Sequence, residues 1–264
     1  MDLQLTGKRA LVTGSTSGIG WATARELAAE GAHVILNGRD PARLASAVAR
    51  IQSELPEAVV DGVLADLSSA AGCQRLLDAA GEVDILVNNL GIFEPKAFEQ
   101  ITDEDWLRFF EVNLLSGVRL ARHHLPRMKA RGWGRMVFIS SESGICPPAE
   151  MVHYGMTKSA QLSVSRGLAE TCVGTGVSVN AVLPGPTRTE GVGDFFAKLA
   201  REAGQTLADA ERDFFQHARP TSLLQRFIEP AEVAAMVTYV CSPRSAATNG
   251  AALRVEGGVV RSLI

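Results

Sequence analysis

The sequence predicts a doubly wound α/β fold, a parallel sheet of about seven strands flanked by helices. Three observations predict it. Short β-branched runs alternate with longer helical patterns from residue 9 almost to the end. Several of the runs, such as Ala10-Leu11-Val12 and Ile85-Leu86-Val87, are continuously apolar instead of alternating, as strands covered on both faces must be. A glycine-rich turn directly follows the first run and opens a helix, at the carboxyl end of a strand, where such sheets hold ligands.

The elements follow in order. Residues 9–13 read as the first strand and 19–30 as a helix closed by Gly31. The second strand is 33–37. Asp40 then caps a helix that has Pro41 in its first turn. Residues 59–65 form the third strand, 69–80 a helix and 83–87 the fourth strand. Two helices follow, at 102–110 and 113–130, then a strand at 135–140 and a helix at 154–173. The sixth strand is 177–183, followed by a helix at 230–241 and a last strand at 251–255. No repeat, low-complexity tract or linker divides residues 1–264, so one domain is expected. Only the segment at about 190–229 breaks the rhythm. It carries two Phe-Phe pairs, Phe195-Phe196 and Phe214-Phe215, on charged helical patterns. A connection this long reads as a lid over a site or as a surface hairpin anchored by its aromatics.

Composition narrows the partners. With 26 Lys and Arg against 29 Asp and Glu, the net charge is −3, which leaves no basic surplus for nucleic acid. The four cysteines are scattered without a CxxC pair and read as reduced thiols. No leader pattern and no apolar run near the ~20 residues of a bilayer span is present, so a cytoplasmic protein without membrane contact is expected. His123 and His124 are adjacent on a helix and point about 100° apart, a poor start for a metal site, and no metal is expected.

The chemistry sits at strand ends. In Thr13-Gly14-Ser15-Thr16-Ser17-Gly18-Ile19-Gly20 the glycines let the backbone approach a pyrophosphate, and the helix start supplies free N–H groups. It is not a Walker A loop, because no Gly-Lys-Ser/Thr follows, nor a G-x-S-x-G elbow, because Thr16 takes the central place. Tyr154 and Lys158, four apart, share a helical face. A phenolate near neutral pH needs ~3 pKa units, ~4 kcal/mol, of preferential stabilisation, which a lysine cation and a positively charged nicotinamide can supply. Ser141 lies thirteen residues before Tyr154, just past the fifth strand, where a hydroxyl can donate to a substrate carbonyl. Asn88-Asn89-Leu90-Gly91 closes the fourth strand and Pro184-Gly185-Pro186-Thr187-Arg188-Thr189 the sixth. Each has a bland reading as cap or turn; five such elements at one sheet edge do not.

Together these residues resemble the short-chain dehydrogenase/reductase family over nearly the whole chain, which implies a Rossmann-type domain. Thr13-Gly14-x-x-x-Gly18-Ile19-Gly20 is similar to its TGxxxGIG cofactor loop, Asn88-Asn89-Leu90-Gly91 to its NNAG motif, and Ser141, Tyr154 and Lys158 to its YxxxK-type catalytic set. Asn113 matches the fourth member of that set, Asp66-Leu67 the pair that meets the adenine, and Pro184, Gly185, Thr187 and Thr189 the segment that closes over the cofactor. Val255-Glu256-Gly257-Gly258 resembles the family's last strand and turn. Leu90 departs from the usual Ala and implies local repacking. The resemblance implies hydride transfer between nicotinamide and a carbonyl or secondary alcohol. Tyr154 would be the acid or base, and Lys158 would lower its pKa and hold the ribose. Ser141 would orient the carbonyl, and Asn113 would hold a water linking Lys158 to solvent. Ser140 and Ser143 flank Ser141, and the spacing to Tyr154 favours Ser141. A homotetramer is also implied, for which the helix from Leu115 to Met128 offers an apolar face, unless that face covers its own sheet.

Charge selects the cofactor. NAD readers place an acid at the end of the second strand, and NADP readers a cation. Here Leu36-Asn37-Gly38 ends the strand without an acid, Arg39 follows, and Asp40 reads as the helix cap, so NADP is expected with NAD as runner-up. Thr16, in a loop where many NADP-preferring relatives carry a cation, weighs the other way. The expected pocket includes Ile92, Phe93, residues 145–148, Met151 and the Phe-rich segment, with Glu94, Glu142 and His153 as polar handles. That lining points to a medium-sized apolar or aromatic carbonyl, or the corresponding alcohol, as the small-molecule substrate. Two alternatives remain: a 3-oxoacyl-carrier-protein reductase, which predicts basic docking residues near the pocket, and a catalytically silent cofactor-binding regulator.

Overall fold

The computed structural model describes residues 1–263. Seven parallel strands form one sheet in the order β3-β2-β1-β4-β5-β6-β7. They are β1 (Arg9–Val12), β2 (His33–Gly38), β3 (Val60–Leu64), β4 (Ile85–Asn88), β5 (Gly134–Ile139), β6 (Val177–Pro184) and β7 (Ala252–Val255). Strand order reverses between β1 and β4, whose residues Ala10 and Ile85 stand in register. A crevice must open at the carboxyl ends there, because the connections leave in opposite directions.

The pleat divides the core as continuous apolar strands require. On one face Ala10, Val12, Val34, Leu36, Ile85 and Val87 pack against α1 (Gly18–Ala29), α2 (Pro41–Glu54) and α9 (Pro230–Cys241). On the other, Leu11, Ile35, Leu86, Met136 and Phe138 pack against α3 (Ala70–Ala80), α5 (Ser116–Arg131) and α6 (Val152–Glu170). The apolar face of α5 is therefore spent on its own sheet, through Leu120, Ala121, Leu125 and Met128. Caps begin the helices where the sequence places them: Asp40 Oδ1 accepts the N–H of Arg43 at 2.8 Å, and Ser69 Oγ that of Gly72 at 3.1 Å.

Two departures matter for the site. The helices expected at 102–110 and 113–130 are one path, α4 (Asp103–Phe110) running into α5 through a π-helical turn at Glu111–Leu115. Such a turn carries one extra residue per repeat, so it re-aims Asn113 without ending the helix. The 190–229 segment folds as α7 (Glu190–Ala203) and α8 (Leu207–Asp213), the latter ending in a second π-helical turn. Its base is pinned where Arg188 N–H donates to Ile228 O at 2.8 Å and Ile228 N–H to Pro186 O at 2.9 Å. Its own core is aromatic: Phe196, Phe215 and Phe227 are buried together, with Phe214 stacked on Phe227 at 5.6 Å. Among the described residues no helix is long and apolar enough to cross a membrane.

Candidate active site

The glycine-rich turn is locked to the end of β4 by Thr13 and Asn89. Thr13 Oγ1 accepts the N–H groups of Asn89 and Leu90 at 2.9 and 3.0 Å, while Asn89 Nδ2 donates to Thr13 O and Gly14 O at 2.8 and 3.0 Å. Gly20 must be glycine here, because a Cβ would stand 2.4 Å from Asn89 Nδ2 and 2.6 Å from Gly14 O. Ser15 supports the turn from beneath: buried, it donates to Val12 O at 2.7 Å and accepts the N–H of Asn37 at 2.9 Å. Helix α1 begins without a side-chain cap or an acidic residue in its first turn. Its first N–H groups, at Gly18, Ile19 and Gly20, have no partner within the helix and line the cavity. Bare donors at a helix start, with glycine in place of any Cβ, fit a dinucleotide pyrophosphate.

The cavity above this turn holds about 630 Å³. Gly14, Ser17, Leu90 and Gly91 line one side, Ser141, Tyr154 and Lys158 its floor, and Pro184, Gly185, Thr187 and Thr189 its far side. Leu90 occupies the space next to Gly14, where a Cβ on the glycine would meet its Cδ1 at 3.3 Å. Thr189 stands over Gly18, with its Cγ2 3.1 Å from where a Cβ would be.

Tyr154 and Lys158 come from α6, and the turn at the end of β5 lies tightly against that helix. Gly144 and Gly155 allow it: a Cβ would come 3.0 Å from Lys158 O in one case and 2.6 Å from Pro147 Cβ in the other. The neighbouring serines separate in role. Ser140 Oγ is committed to Lys158 O at 2.8 Å, whereas Ser141 Oγ accepts the N–H of Ser143 at 3.1 Å and donates to Glu142 Oε2 at 2.5 Å. Burial and the nearby Glu142 carboxylate hold the Tyr154 phenol well above its ordinary value, with Ser141 and Arg219 pulling the other way. Lys158 does not contribute to that balance. Its Nζ lies 5.5 Å from the phenol ring centre and donates to Ile139 O at 2.8 Å, and burial lowers its own pKa to about 8. The four-residue spacing does bring the two together: the ammonium stands over the phenol ring while donating to the β5 carbonyl of Ile139.

Asn113 stands behind the cavity, not in its wall. Its amide accepts Ile92 N–H at 2.8 Å and donates to Ile92 O and Thr157 Oγ1, each at 3.0 Å. Its main-chain carbonyl accepts Gln161 Nε2 at 2.5 Å, and Gln161 Oε1 accepts from Lys158 Nζ at 3.4 Å. Gln161 thus connects Lys158 to the main chain at Asn113. The signal was there, since Tyr154, Lys158 and Gln161 are spaced i, i+4, i+7 on one helix face.

The adenine end lies beyond this cavity. Asn37 is buried and its amide is used up, accepting Gly14 N–H at 3.3 Å and donating to Val63 O and Ala65 O at 3.3 and 3.1 Å. A side chain at Gly38 would stand 2.4 Å from Thr16 Cγ2, so no acid fits at the strand end. Arg39 is exposed and makes no ion pair among the described residues. Asp66 accepts the N–H of Ser68 at 3.0 Å, which holds its carboxyl low, and Leu67 is buried beside it. Arg43, which the sequence reading passed over, reaches Ser17 Oγ at 3.5 Å and pairs with Glu190 of α7.

Several expected pocket residues lie elsewhere. His153 is buried between Trp106 and Phe109, its ring 4.1 Å from that of Phe109, because it projects from α6 away from Tyr154. Glu94 pairs with Arg108 at 2.5 Å on the surface, and Ile145 is exposed outside the cavity with Cys146, Pro147 and Pro148. Glu142 remains, 6 % exposed and facing Arg219 Nε at 3.6 Å across the floor. Ile92, Phe93, Met151, Phe195, Phe214 and Phe227 supply the apolar wall. Among the described residues no three His, Cys, Asp or Glu side chains gather as metal ligands would.

A nucleotide-binding crevice at the switch point, with a hydroxyl, a phenol and an ammonium on its floor, defines a dinucleotide-dependent oxidoreductase. Residues 8–200 match the family model described as short chain dehydrogenase. The chain is 51% identical to the uncharacterized oxidoreductase YvaG of Bacillus subtilis (strain 168), with 100% of each covered. It is 34% identical to D-beta-hydroxybutyrate dehydrogenase of Cupriavidus necator, over 97% of this chain and 99% of that one. The crystal structure of L-sorbose reductase from Gluconobacter frateurii, complexed with NADPH and L-sorbose, superposes over 100% of both chains with a TM-score of 0.93 at 30% identity. The chain belongs to the short-chain dehydrogenase/reductase family, and is an oxidoreductase acting on CH–OH and C=O groups with a nicotinamide cofactor.

Proposed function

We propose that the chain is an NADP(H)-dependent reductase of neutral ketones and aldehydes, able to run in reverse on secondary alcohols. The observation that carries this is the convergence of Ser141, Tyr154 and Lys158 on one cavity floor opposite the bare start of α1. A nicotinamide held in this cavity would supply the hydride for the carbonyl carbon, or accept it from the alcohol. Tyr154 gives its phenolic proton to the carbonyl oxygen, and a phenol held neutral is suited to that direction. Lys158, anchored on Ile139 O and Gln161 Oε1, keeps one N–H for the ribose hydroxyls, and Gln161 is itself held by Asn113 O. Ser141 orients the carbonyl from the other side. Gly14, Ser17, Gly18, Ile19 and Gly20 receive the pyrophosphate, Asn89, Leu90, Gly91, Pro184, Gly185, Thr187 and Thr189 enclose the nicotinamide half, and Asp66 and Leu67 flank the adenine.

NADP over NAD is supported by Arg39, by the lack of room for an acid at Gly38, and by Asp40, whose carboxylate is spent as a helix cap. Similarity to a reductase complexed with NADPH adds to this. The substrate is read as neutral because Arg219 is already engaged by the Glu150 carboxylate at 3.2 Å and lies 3.6 Å from the Glu142 carboxyl. Its body is read as mostly apolar, against the aromatic wall, with α7 and α8 as the lid. Cations near the cavity mouth are matched, Lys96 by Asp105 and Arg108 by Glu94, which weighs against docking of an acidic carrier protein. Assembly as a homotetramer is read from the family and from Leu107 and Phe110, left exposed on α4. Light scattering measures it.

The test is NADPH oxidation by the purified protein against a ketone panel that includes acetophenone and L-sorbose. Turnover that Tyr154→Phe abolishes, with NADPH still quenching tryptophan fluorescence, is the expected result. Turnover unchanged in that variant refutes the assignment.

A further inference from the structure

Glu142 stands next to the hydroxyl that the reduction needs and takes its proton. A serine hydroxyl has one proton and two lone pairs. Ser141 Oγ spends the proton on Glu142 Oε2 at 2.5 Å and one lone pair on the N–H of Ser143 at 3.1 Å. A substrate carbonyl oxygen only accepts, so Ser141 in this arrangement has nothing to give it. We propose that Glu142 is a positioning residue for the reduction: when neutral it donates to Ser141 and frees the serine proton for the carbonyl, and when charged it holds that proton away. This rests on the reading above in which Ser141 orients the carbonyl.

The surroundings of Glu142 allow both forms. Ser141 and Ser143 face it from its own turn, Tyr154 and Lys158 from α6, and Arg219 from the segment after α8. Burial at 6 % exposure favours the neutral carboxyl, against Ser141, Arg219 and Ser143, and burial dominates. Arg219 is divided, since Glu150 takes it at 3.2 Å while Glu142 lies 3.6 Å away. A second effect has the same sign. A charged Glu142 opposes a charge on Tyr154, so the phenolate left after proton donation forms more easily when Glu142 is neutral. Both effects make carbonyl reduction a property of the protonated form. No bond to carbon is involved; one proton bound at Glu142 reverses one hydrogen bond, that with Ser141, and so frees the serine proton for a second, to the carbonyl.

The experiment is the pH profile of kcat/KM for NADPH-dependent reduction of 1-phenylpropane-1,2-dione, from about pH 5 to about pH 9, in wild type and Glu142→Gln. Wild type is expected to lose about 100-fold to 1,000-fold on the alkaline side as one oriented donor is withdrawn. The glutamine amide donates to Ser141 at every pH, so that loss is absent from the variant. Infrared difference spectra of the NADP⁺-loaded protein provide a readout without turnover: a carboxylic-acid band that fades over the same pH range and is missing from Glu142→Gln. Should that variant fail to fold, Arg219→Gln serves, because loss of the cation shifts the alkaline limb to higher pH. An alkaline limb that is identical in Glu142→Gln, or unmoved in Arg219→Gln, overturns the proposal, as does absence of the acid band. No turnover of any ketone at any pH, with NADPH bound, refutes the reductase reading itself and takes the role of Glu142 with it.

Discussion

Gly20→Ala puts one methyl group into the most crowded place in the cofactor turn. The new Cβ would stand 2.4 Å from Asn89 Nδ2, 2.6 Å from Gly14 O and 3.0 Å from Ser15 Cα. Two of these are backbone atoms, and the third belongs to an amide that holds the turn with bonds of 2.8 and 3.0 Å. Relief requires Asn89 to give up those bonds or the turn to move. Overpacking costs about 1–3 kcal/mol, and each lost hydrogen bond about 0.5–1.5 kcal/mol. Alanine in a helix interior returns about 0.8–1 kcal/mol. The net loss is therefore about 1–5 kcal/mol, which in a chain near this size lowers Tm by roughly 2–4 °C per kcal/mol. Gly167→Ala is the control. It lies in α6 with nothing within 4 Å of its Cβ position, so only the propensity gain applies and Tm holds or rises. The assay is thermal unfolding of both variants with and without NADPH. Gly20→Ala should also lose most of the Tm increment that NADPH confers, because the displaced backbone is the ligand surface. A Gly20→Ala protein with the Tm and NADPH increment of wild type would refute the close-approach argument.

Three further outcomes are expected. Arg39→Ala weakens NADPH binding about 10-fold to 100-fold, the worth of a charge-assisted phosphate contact, and leaves NADH unchanged, whereas Asp40→Ala lowers Tm by the ~0.5–2 kcal/mol of a lost cap without altering cofactor preference; fluorescence titration and calorimetry separate the two. Phe227→Ala, which empties the middle of the aromatic cluster, costs about 3–5 kcal/mol locally, so limited proteolysis cuts first between residues 190 and 229 while the sheet resists. Lys158, whose folded pKa is lowered to about 8, holds a buried charge that costs stability below that pH. The cost is relieved as pH rises from about 8 toward the unfolded value, so the Tm difference between Lys158→Met and wild type should shrink there, as thermal scans over that range will read.

How much of this was legible depends on whether the signal was local. Seven strands and the helix caps were readable because apolar runs, Asp40-Pro41 and Gly31 act within a few residues of themselves. The residues on the cavity floor were readable for a related reason. Ser141 ends a strand and Tyr154 and Lys158 share a helix face, so topology alone brings them to one edge. The π-helical turn at Glu111–Leu115 was not legible, since nothing in Glu-Val-Asn-Leu-Leu distinguishes one extra residue per turn from an ordinary helix. His153 was misplaced because a position beside Tyr154 in sequence lies about 100° around the helix from it, among Trp106 and Phe109.

The direction of side chains within the site is the part that needed three dimensions, and it alters the chemistry. Lys158 and Tyr154 have the right spacing to touch, yet the carbonyl of Ile139 is the acceptor the ammonium finds in a buried site, and an unpaired buried ammonium would cost more than the phenol contact returns. The ionisable groups that shift the Tyr154 phenol are Glu142, which raises its pKa when charged, and Arg219, which lowers it. These lie one residue past the serine and in the Phe-rich segment respectively, positions that carry no motif. Two consequences follow from one geometry. Burial and Glu142 hold the phenol pKa above its ordinary value, so a phenolate there needs stabilisation that these groups do not supply. Arg219, brought in by the segment after α8, also couples that segment to the floor through Glu142, so a displacement of α7 and α8 would change the charge balance at Tyr154 as well as the shape of the cavity.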